Sequence, residues 1–154
     1  MGVLVACVIL LVDQLTKYLV VSKINSNYEI EVIGDLFYLT NVKNRGAAWG
    51  IMQNGRVFFI VVTIFVVCGI LYFMKNIDKK YVKMVLAVVL GGTLGNFVDR
   101  IFRGYVVDFL DFYIGGYHFP IFNIADVCIT VGVALLVYCI LLDKDFRKIG
   151  QEEV

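Results

Sequence analysis

Long apolar segments dominate the hydrophobic pattern of this chain. A helix that spans a bilayer needs about 20 mostly apolar residues. Four stretches meet that length, at about 2–22, 56–75, 81–98 and 121–142. The second carries no charge between Arg56 and Lys75, and Asp126 is the only charge in the fourth. The pattern predicts an all-α membrane protein of a single domain, residues 1–154, with four transmembrane helices.

The composition agrees with this pattern. Hydrophobic residues occupy 60% of the 154 positions, whereas a typical soluble domain has about 45–50%. A net charge of +1 gives no field that would attract nucleic acid. The four cysteines each lie in an apolar run and form no CxxC pair. That pattern is typical of small buried side chains rather than of a metal site.

Lysine and arginine residues in the links predict how the helices are oriented. The short link between the second and third stretches holds four lysines against one acid, and the C-terminal tail adds Lys144, Arg147 and Lys148. Positively charged loops stay on the cytoplasmic side of a membrane, so both termini are predicted to be cytoplasmic. The two longer links, at about 23–55 and 100–120, then face outward.

The first outward link has a pattern of its own. Residues 31–41 are rich in Val, Ile, Phe, Tyr and Leu, which favours strand structure. The small residues of Gly46-Ala47-Ala48-Trp49-Gly50 follow and surround one tryptophan, a side chain that prefers the headgroup level of a membrane. We therefore expect a small extracytoplasmic β-sheet and an interfacial element on the membrane surface.

Charged residues inside the predicted spans are candidates for function, because each costs roughly 2.5–3.5 kcal/mol at the centre of a helix. Asp13 and Lys17 lie four residues apart on the first helix and share a face. They are either an ion pair that fixes helix packing or part of a functional site. On the third helix, Asn96, Asp99 and Arg100 form one polar face at the outward end.

Three aspartates lie near the outward ends of the last two spans. Asp99 ends the third span, Asp108 follows in the link between apolar neighbours, and Asp126 lies in the first turns of the fourth span on the same face as Asn123. Two carboxyl groups at one site cannot easily both ionise. One can then donate a proton while the other draws one from water, as in aspartic proteases. From the residues alone, the choice between Asp99 and Asp108 stays open.

Other chemistries have weaker support in the sequence. No serine lies near a base, the only histidine is His118 in an outward link, and no set of residues suits zinc. A proton-coupled transporter or channel would also place acids in spans. It predicts a continuous polar path, whereas most polar residues here cluster at the outward ends. An inert scaffold would leave Asp126 without a purpose.

Five motifs, in this order, make the chain resemble the lipoprotein signal peptidase (signal peptidase II) family along nearly its whole length. They are Asp13-Gln14-Leu15-Thr16-Lys17, Asn44-Arg45-Gly46-Ala47-Ala48-Trp49-Gly50, Gly91-Gly92 through Gly95-Asn96 to Asp99-Arg100, Val106-Val107-Asp108-Phe109, and Phe122-Asn123-Ile124-Ala125-Asp126. One motif alone is weak, but five at these places on a four-span chain are specific. Such enzymes cleave the signal peptide from a prolipoprotein just before a cysteine that carries diacylglycerol.

The resemblance implies roles for individual residues. It assigns the catalytic pair to Asp108 and Asp126, and thereby selects Asp108 over Asp99. It also implies a set of substrate-binding or supporting positions, namely Asp13, Lys17, Asn44, Gly46, Trp49, Asn96, Asp99, Arg100 and Asn123. The outer strand and the Gly-Ala-Ala-Trp element correspond to the family's cradle and lid over the substrate.

The resemblance implies no metal or organic cofactor. The expected partners are diacylglyceryl prolipoproteins, membrane lipid and cyclic-peptide inhibitors of the globomycin type. We expect a monomer in the bacterial cytoplasmic (inner) membrane, with its active site near the outer face. Val127 departs from the serine frequent in relatives, and Trp49 stands where many have phenylalanine. Neither belongs to the catalytic pair, but Val127 changes the hydrogen bonding available near Asp126.

Overall fold

The computed structural model describes residues 1–26, 28–46 and 52–142. The helices of these residues are α1 (Gly2–Lys23), α2 (Arg56–Asn76), α3 (Lys80–Phe102) and α4 (Ile124–Leu142). The strands are β1 (Ile30–Ile33), β2 (Phe37–Asn44), β3 (Val106–Ile114) and β4 (Tyr117–His118), in the sheet order β1-β2-β3-β4. All four helices are long and apolar enough to cross a membrane. The predicted fold class, four transmembrane helices with a small sheet, is confirmed.

Helix α3 is the centre of the bundle and packs against the other three helices. A Cβ atom on Gly92 would lie 2.5 Å from the Ala125 carbonyl oxygen, and one on Gly91 would lie 2.8 Å from the Ala6 carbonyl oxygen. These glycines therefore let α4 and α1 approach α3 at backbone distance.

The bundle has two ends of different composition. At the far end, where α1 begins and α4 ends, the core is an apolar cluster of Ala6, Ile70, Val82, Leu86, Val89 and Leu90. The sheet end is where α1 and α3 end and α2 and α4 begin. There a second apolar cluster of Val20, Ile24, Val107 and Phe109 fastens the sheet to α1.

Strands β2 and β3 form the middle of the sheet. Their antiparallel register pairs Val42 with Asp108, with an irregularity between Leu39 and Val42. A row of stacked or edge-on aromatic rings crosses the sheet, with centroid distances of 4.5, 5.8 and 5.8 Å along Phe37, Phe112, Phe122 and Phe119. The row stiffens the link between the sheet and the segment that leads into α4.

The structure adds elements that the hydrophobic pattern did not predict. The second outward link, about 100–120, contains β3 and β4, so Asp108 lies on a strand. Helix α4 begins at Ile124 instead of about 121, because Phe122 forms a bridge with Leu110 of β3. The interfacial element with Trp49 and the basic C-terminal tail lie outside the described residues.

Candidate active site

Asp126 is held at the start of α4 by a reciprocal pair of hydrogen bonds with Asn123. The backbone N–H of Asp126 donates to Asn123 Oδ1 at 3.0 Å, and the backbone N–H of Asn123 donates to Asp126 Oδ2 at 3.1 Å. This is the capping-box arrangement, which satisfies two of the N–H groups that a helix start leaves unpaired. It places the Asp126 carboxyl group at the positive end of the helix dipole.

Asn96 of α3 supplies the second donor to Asp126. Its Nδ2 donates to Asp126 Oδ1 at 2.7 Å, while its Oδ1 accepts from Lys17 Nζ at 2.9 Å. An ammonium group can only donate, so the Lys17 contact fixes which end of the Asn96 amide faces Asp126. The orientation of this donor therefore depends on a buried charge on another helix.

Asp108 of β3 faces the same site from the sheet and is only 3% exposed. Asn44 Nδ2 donates to Asp108 Oδ2 at 2.9 Å, and Asn123 Nδ2 donates to Asp108 Oδ1 at 2.7 Å. Asn123 thus contacts Asp108 through its side chain and Asp126 through its backbone. One residue joins the two carboxyl groups.

The environment of Asp108 favours its protonated form. Burial, followed by the negative charge of Asp126, raises the pKa of Asp108 to about 7. The amides of Asn44 and Asn123 and the charge of Lys17 act in the opposite direction but more weakly. Near neutral pH, a large fraction of Asp108 therefore carries a proton that it can donate.

Both aspartates line one cleft of about 470 Å³. Its polar side contains Asn44, Gly46, Asn96, Arg100, Asp108 and Asp126. The apolar wall is formed by Val106, Phe119, Pro120, Ile121, Phe122, Val127 and Val131, together with Thr130. Since Val127, Thr130 and Val131 share one face of α4 and the two valines are exposed, the cleft continues from the aspartates along an uncovered face of the helix.

Arg100 lines the same cleft. Its guanidinium group lies 4.8 Å from the centre of the Phe59 ring and donates to the carbonyl oxygens of Asn96 and Gly46, both at 3.4 Å. These distances are at the long end for hydrogen bonds, and a guanidinium group has five N–H donors. Arg100 can therefore turn toward a carbonyl group that enters the cleft.

Asp13, Lys17 and Asp99 form a buried ionic group behind the cleft. All three are 0% exposed, and Lys17 Nζ lies 2.9 Å from Asp13 Oδ2 and 2.9 Å from Asp99 Oδ2. The third Lys17 contact is the one to Asn96, so all three ammonium donors have acceptors. None of these three charged side chains lines the cleft.

Two further residues that the sequence did not single out complete this ionic group. Arg103 forms a salt bridge with Asp99 and donates to Gln14 Oε1 at 3.1 Å. Gln14 Nε2 donates to the Gly95 carbonyl oxygen at 3.1 Å and contacts both buried carboxylates. The spacing of Arg103, four residues after Asp99 at the C-cap of α3, is the signal that could have found it.

His118, the only histidine, was not expected to be catalytic. His118 is on the β3–β4 hairpin, where it contacts Asp111 at 2.7 Å and stacks on Tyr113 at 4.3 Å. It is not among the residues that line the cleft. Trp49, an expected substrate contact, lies outside the described residues.

Known proteins resemble this chain over most of its length. The family model described as Signal peptidase (SPase) II matches residues 5–142. A lipoprotein signal peptidase of Bacillus pumilus is 46% identical over 147 residues, which are 94% of this chain and 95% of that protein. One of Brevibacillus brevis is 49% identical over 142 residues, 91% of this chain and 94% of that protein.

Solved structures agree with these sequence matches. A bacterial membrane enzyme determined by the in meso method superposes with a TM-score of 0.86 at 38% identity, covering 92% of this chain and 88% of that one. A second such structure gives a TM-score of 0.84 at 38% identity, covering 93% and 94%. The family model, the relatives and the fold all point the same way, and the chain belongs to the signal peptidase II family.

Proposed function

We propose that this chain is an aspartic endopeptidase that removes the signal peptide from diacylglyceryl-modified prolipoproteins, cleaving before the lipidated cysteine. The observation that carries the proposal is the pair of Asp108 and Asp126, which share one cleft and are joined by Asn123. The relatives named lipoprotein signal peptidase support this class of substrate.

In the proposed reaction the two carboxyl groups act on one water molecule. Asp126, at the helix N-terminus, takes a proton from water as the water oxygen attacks the scissile carbonyl carbon. Asp108 gives its proton to the carbonyl oxygen, which yields a tetrahedral diol. When the C–N bond breaks, Asp126 protonates the leaving nitrogen of the cysteine, and Asp108 recovers a proton from the diol. Both aspartates then return to their starting states.

The polar residues of the cleft are proposed to bind the peptide backbone. Asn44 and Asn96 are held in place through their contacts with the aspartates, and Arg100 has donors that can turn toward a carbonyl group. Trp49 and Gly46 are proposed to cover the bound peptide. Cyclic-peptide inhibitors of the globomycin type would occupy the same cleft, and a monomer is sufficient because every proposed site residue belongs to one chain.

The lipid part of the substrate explains why the cleft opens along α4. Val127 and Val131 continue the cleft as an apolar, exposed face, and an acyl chain in a membrane is held by about 0.8 kcal/mol per buried CH₂. With both termini in the cytoplasm, as the basic link and tail predict, the aspartates lie near the outer face. There the lipid holds the scissile bond while water still reaches it.

The proposal is tested by incubating the purified protein in detergent with a diacylglyceryl-modified prolipoprotein and with the same precursor lacking the lipid. Mass spectrometry is expected to find a new N-terminus at the lipidated cysteine and little cleavage of the unmodified precursor. A folded protein that cleaves neither precursor would contradict the proposed activity. Equal cleavage of both would contradict the proposed recognition of lipid.

A further inference from the structure

The buried ionic group touches the backbone immediately before each of the two cleft aspartates. Asp13 Oδ1 accepts from the backbone N–H of Ala125 at 2.9 Å, and Ala125 precedes Asp126. Asp99 Oδ2 accepts from the backbone N–H of Val107 at 3.1 Å, and Val107 precedes Asp108. The two contacts reach α4 and β3, the elements that carry the aspartates.

Lys17 connects these two contacts at a single atom. Its Nζ lies 2.9 Å from a carboxylate oxygen of Asp13 and 2.9 Å from one of Asp99. The chain of contacts thus runs from the backbone before Asp126, through two carboxylates and one ammonium group, to the backbone before Asp108. It uses no atom of the cleft surface.

We propose that Asp13, Lys17 and Asp99 form a clamp that sets the separation of Asp108 and Asp126 by holding the residue that precedes each of them. This inference rests on the proposed function, since it concerns the reaction of that same pair. The three residues are positioning residues, because they touch neither the substrate cleft nor the carboxyl groups of Asp108 and Asp126 directly. Asn96 links the clamp to the Asp126 carboxyl group as a second route.

The reaction gives a reason for such a clamp. Asp126 belongs to a membrane helix and Asp108 to a strand of the sheet, so small shifts between the two elements would change the distance between the carboxyl groups. A misplacement of about 1 Å at a reacting group can cost about 100-fold in rate. A carboxylate suits the task because it has two acceptor oxygens. Asp13 uses one for the backbone N–H and the other for Lys17.

The three residues of the clamp are fully buried, and the partly exposed Arg103 at its edge balances their net charge. Two carboxylates, Asp13 and Asp99, face two cations, Lys17 and Arg103. Buried charges are tolerated only when they are paired and their remaining donors and acceptors are satisfied. The group also acts on the reacting pair, because the charge of Lys17 lowers the pKa of Asp108 against the larger effect of burial.

Gly95 offers a way to displace the clamp without removing any of its charges. A Cβ atom at Gly95 would lie 2.5 Å from Asp13 Oδ2 and 3.2 Å from the Ala125 Cβ atom. Gly95→Ala is therefore expected to push Asp13 and the start of α4 apart from α3. Gly69→Ala is the matched control, because a Cβ atom there meets nothing within 4 Å and the residue lies in another membrane helix.

The test compares kcat, KM and the pH dependence of kcat for cleavage of the lipid-modified precursor. We expect Gly95→Ala to lower kcat by about 10- to 100-fold with KM changed less than about threefold, and Gly69→Ala to match the parent. The pH at which kcat falls on the basic side is expected to move in Gly95→Ala. A loss of folded protein alone would scale kcat equally at every pH.

Asp99→Asn gives a second test should Gly95→Ala fail to insert. Asp99 Oδ2 accepts from Val107 and faces Lys17, while Oδ1 faces Arg103 and Gln14. An amide has one acceptor oxygen and no charge, so one of these two sides loses its acceptor and the charge attraction to Lys17 is lost in either case. We therefore expect kcat to fall about 100-fold. Unchanged kcat in the folded variants, or an effect confined to KM, would overturn the clamp. Because the parent is assayed alongside, that outcome would leave the proposed function intact.

Discussion

The two ends of the bundle are built by the same helices from opposite kinds of side chain. The far end buries Ala6, Ile70, Val82, Leu86, Val89 and Leu90. The sheet end buries Asp13, Lys17, Asn96, Asp99, Asp108 and Asn123. Helix α1 alone changes from Ala6 to Lys17 within three turns. One end is held by apolar contact, and the other by hydrogen bonds and ion pairs.

The apolar contacts of the far end hold the helices together, whereas the polar contacts of the sheet end also position the reacting groups. Lipid tails are as apolar as a leucine side chain, so helix association in a membrane relies on close packing and polar contacts. The far end needs only close packing. At the sheet end the buried Asp13, Lys17 and Asp99 form ion pairs with one another and with Arg103, whereas the buried Asp108 and the partly buried Asp126 make no salt bridge among the described residues. The unpaired acids are the ones that face the cleft.

Lys17→Met is expected to cause the largest loss of stability at the sheet end. The change leaves Asp13 and Asp99 buried without their shared cation, which is expected to cost about 3–5 kcal/mol of unfolding free energy. Thermal unfolding in detergent measures the effect. Lys23→Met, at the exposed last turn of the same helix, serves as control and is expected to change little. Equal stability of the two variants would show that the ion pairs contribute nothing.

The titration of Asp108 predicts a pH dependence of both stability and rate. Its folded pKa of about 7 lies above the ordinary value of 3.8, so its stabilising contribution is complete below about pH 4 and is lost as pH rises through about 7. The charges that face it are Asp126 of α4, Lys17 of α1 and Arg100 of α3. Because the pair needs one proton, kcat is expected to fall as pH rises above about 7.

Asp108→Asn isolates this contribution. Unfolding measured from pH 4 to pH 8 is expected to lose part of its pH dependence in the variant. The difference between the two slopes of unfolding free energy against pH is the contribution of Asp108. Identical pH profiles of stability would mean that Asp108 titrates in the folded protein as it does in the unfolded chain.

Leu86→Ala tests the far end. The side chain is buried in the apolar cluster, and its truncation is expected to cost about 2 kcal/mol or more through lost contact and the cavity left behind. We expect kcat per folded molecule to stay within about twofold of the parent, since the clamp and the cleft lie at the other end. A large fall in kcat without loss of folded protein would mean that the two ends are coupled.

His118→Gln is expected to have the smallest effect of these substitutions. The His118–Asp111 contact joins a half-exposed histidine on a hairpin to a buried carboxylate, and the glutamine amide can still donate a hydrogen bond to that carboxylate. Unfolding free energy is expected to fall by less than about 1 kcal/mol, with kcat nearly unchanged. A large loss of either would show that the sheet depends on this contact as strongly as the bundle depends on Lys17.

The hydrophobic pattern was sufficient to predict the four helices, because long apolar runs in a membrane protein have few alternatives. It did not predict β3, whose first four residues, Val106 to Phe109, are all buried and so lack the alternation that marks a strand with one exposed face. Helix α4 begins three residues after the approximate start of the fourth apolar stretch, because Ile121 and Phe122 belong to the cleft wall and Phe122 forms the sheet bridge.

The site was predictable only in part. Asp13 and Lys17 share a helical face and could be paired from their spacing, but the residues they hold lie far away in the chain. Lys17 reaches Asn96 across 79 positions, and Asp13 reaches Ala125 across 112. Such contacts are set by helix packing, which no local pattern encodes. The choice of Asp108 over Asp99 came from the family resemblance, and Asp99 turns out to lie behind the cleft.

The central claim is that Asp108 and Asp126 together perform the cleavage. The most direct measurement is the rate at which the parent, Asp108→Asn and Asp126→Asn cleave a diacylglyceryl-modified prolipoprotein, with thermal unfolding recorded for all three. We predict cleavage by the parent, a loss of at least about 10³-fold in each variant, and cooperative unfolding of all three proteins. Substantial cleavage by either folded variant would contradict the account.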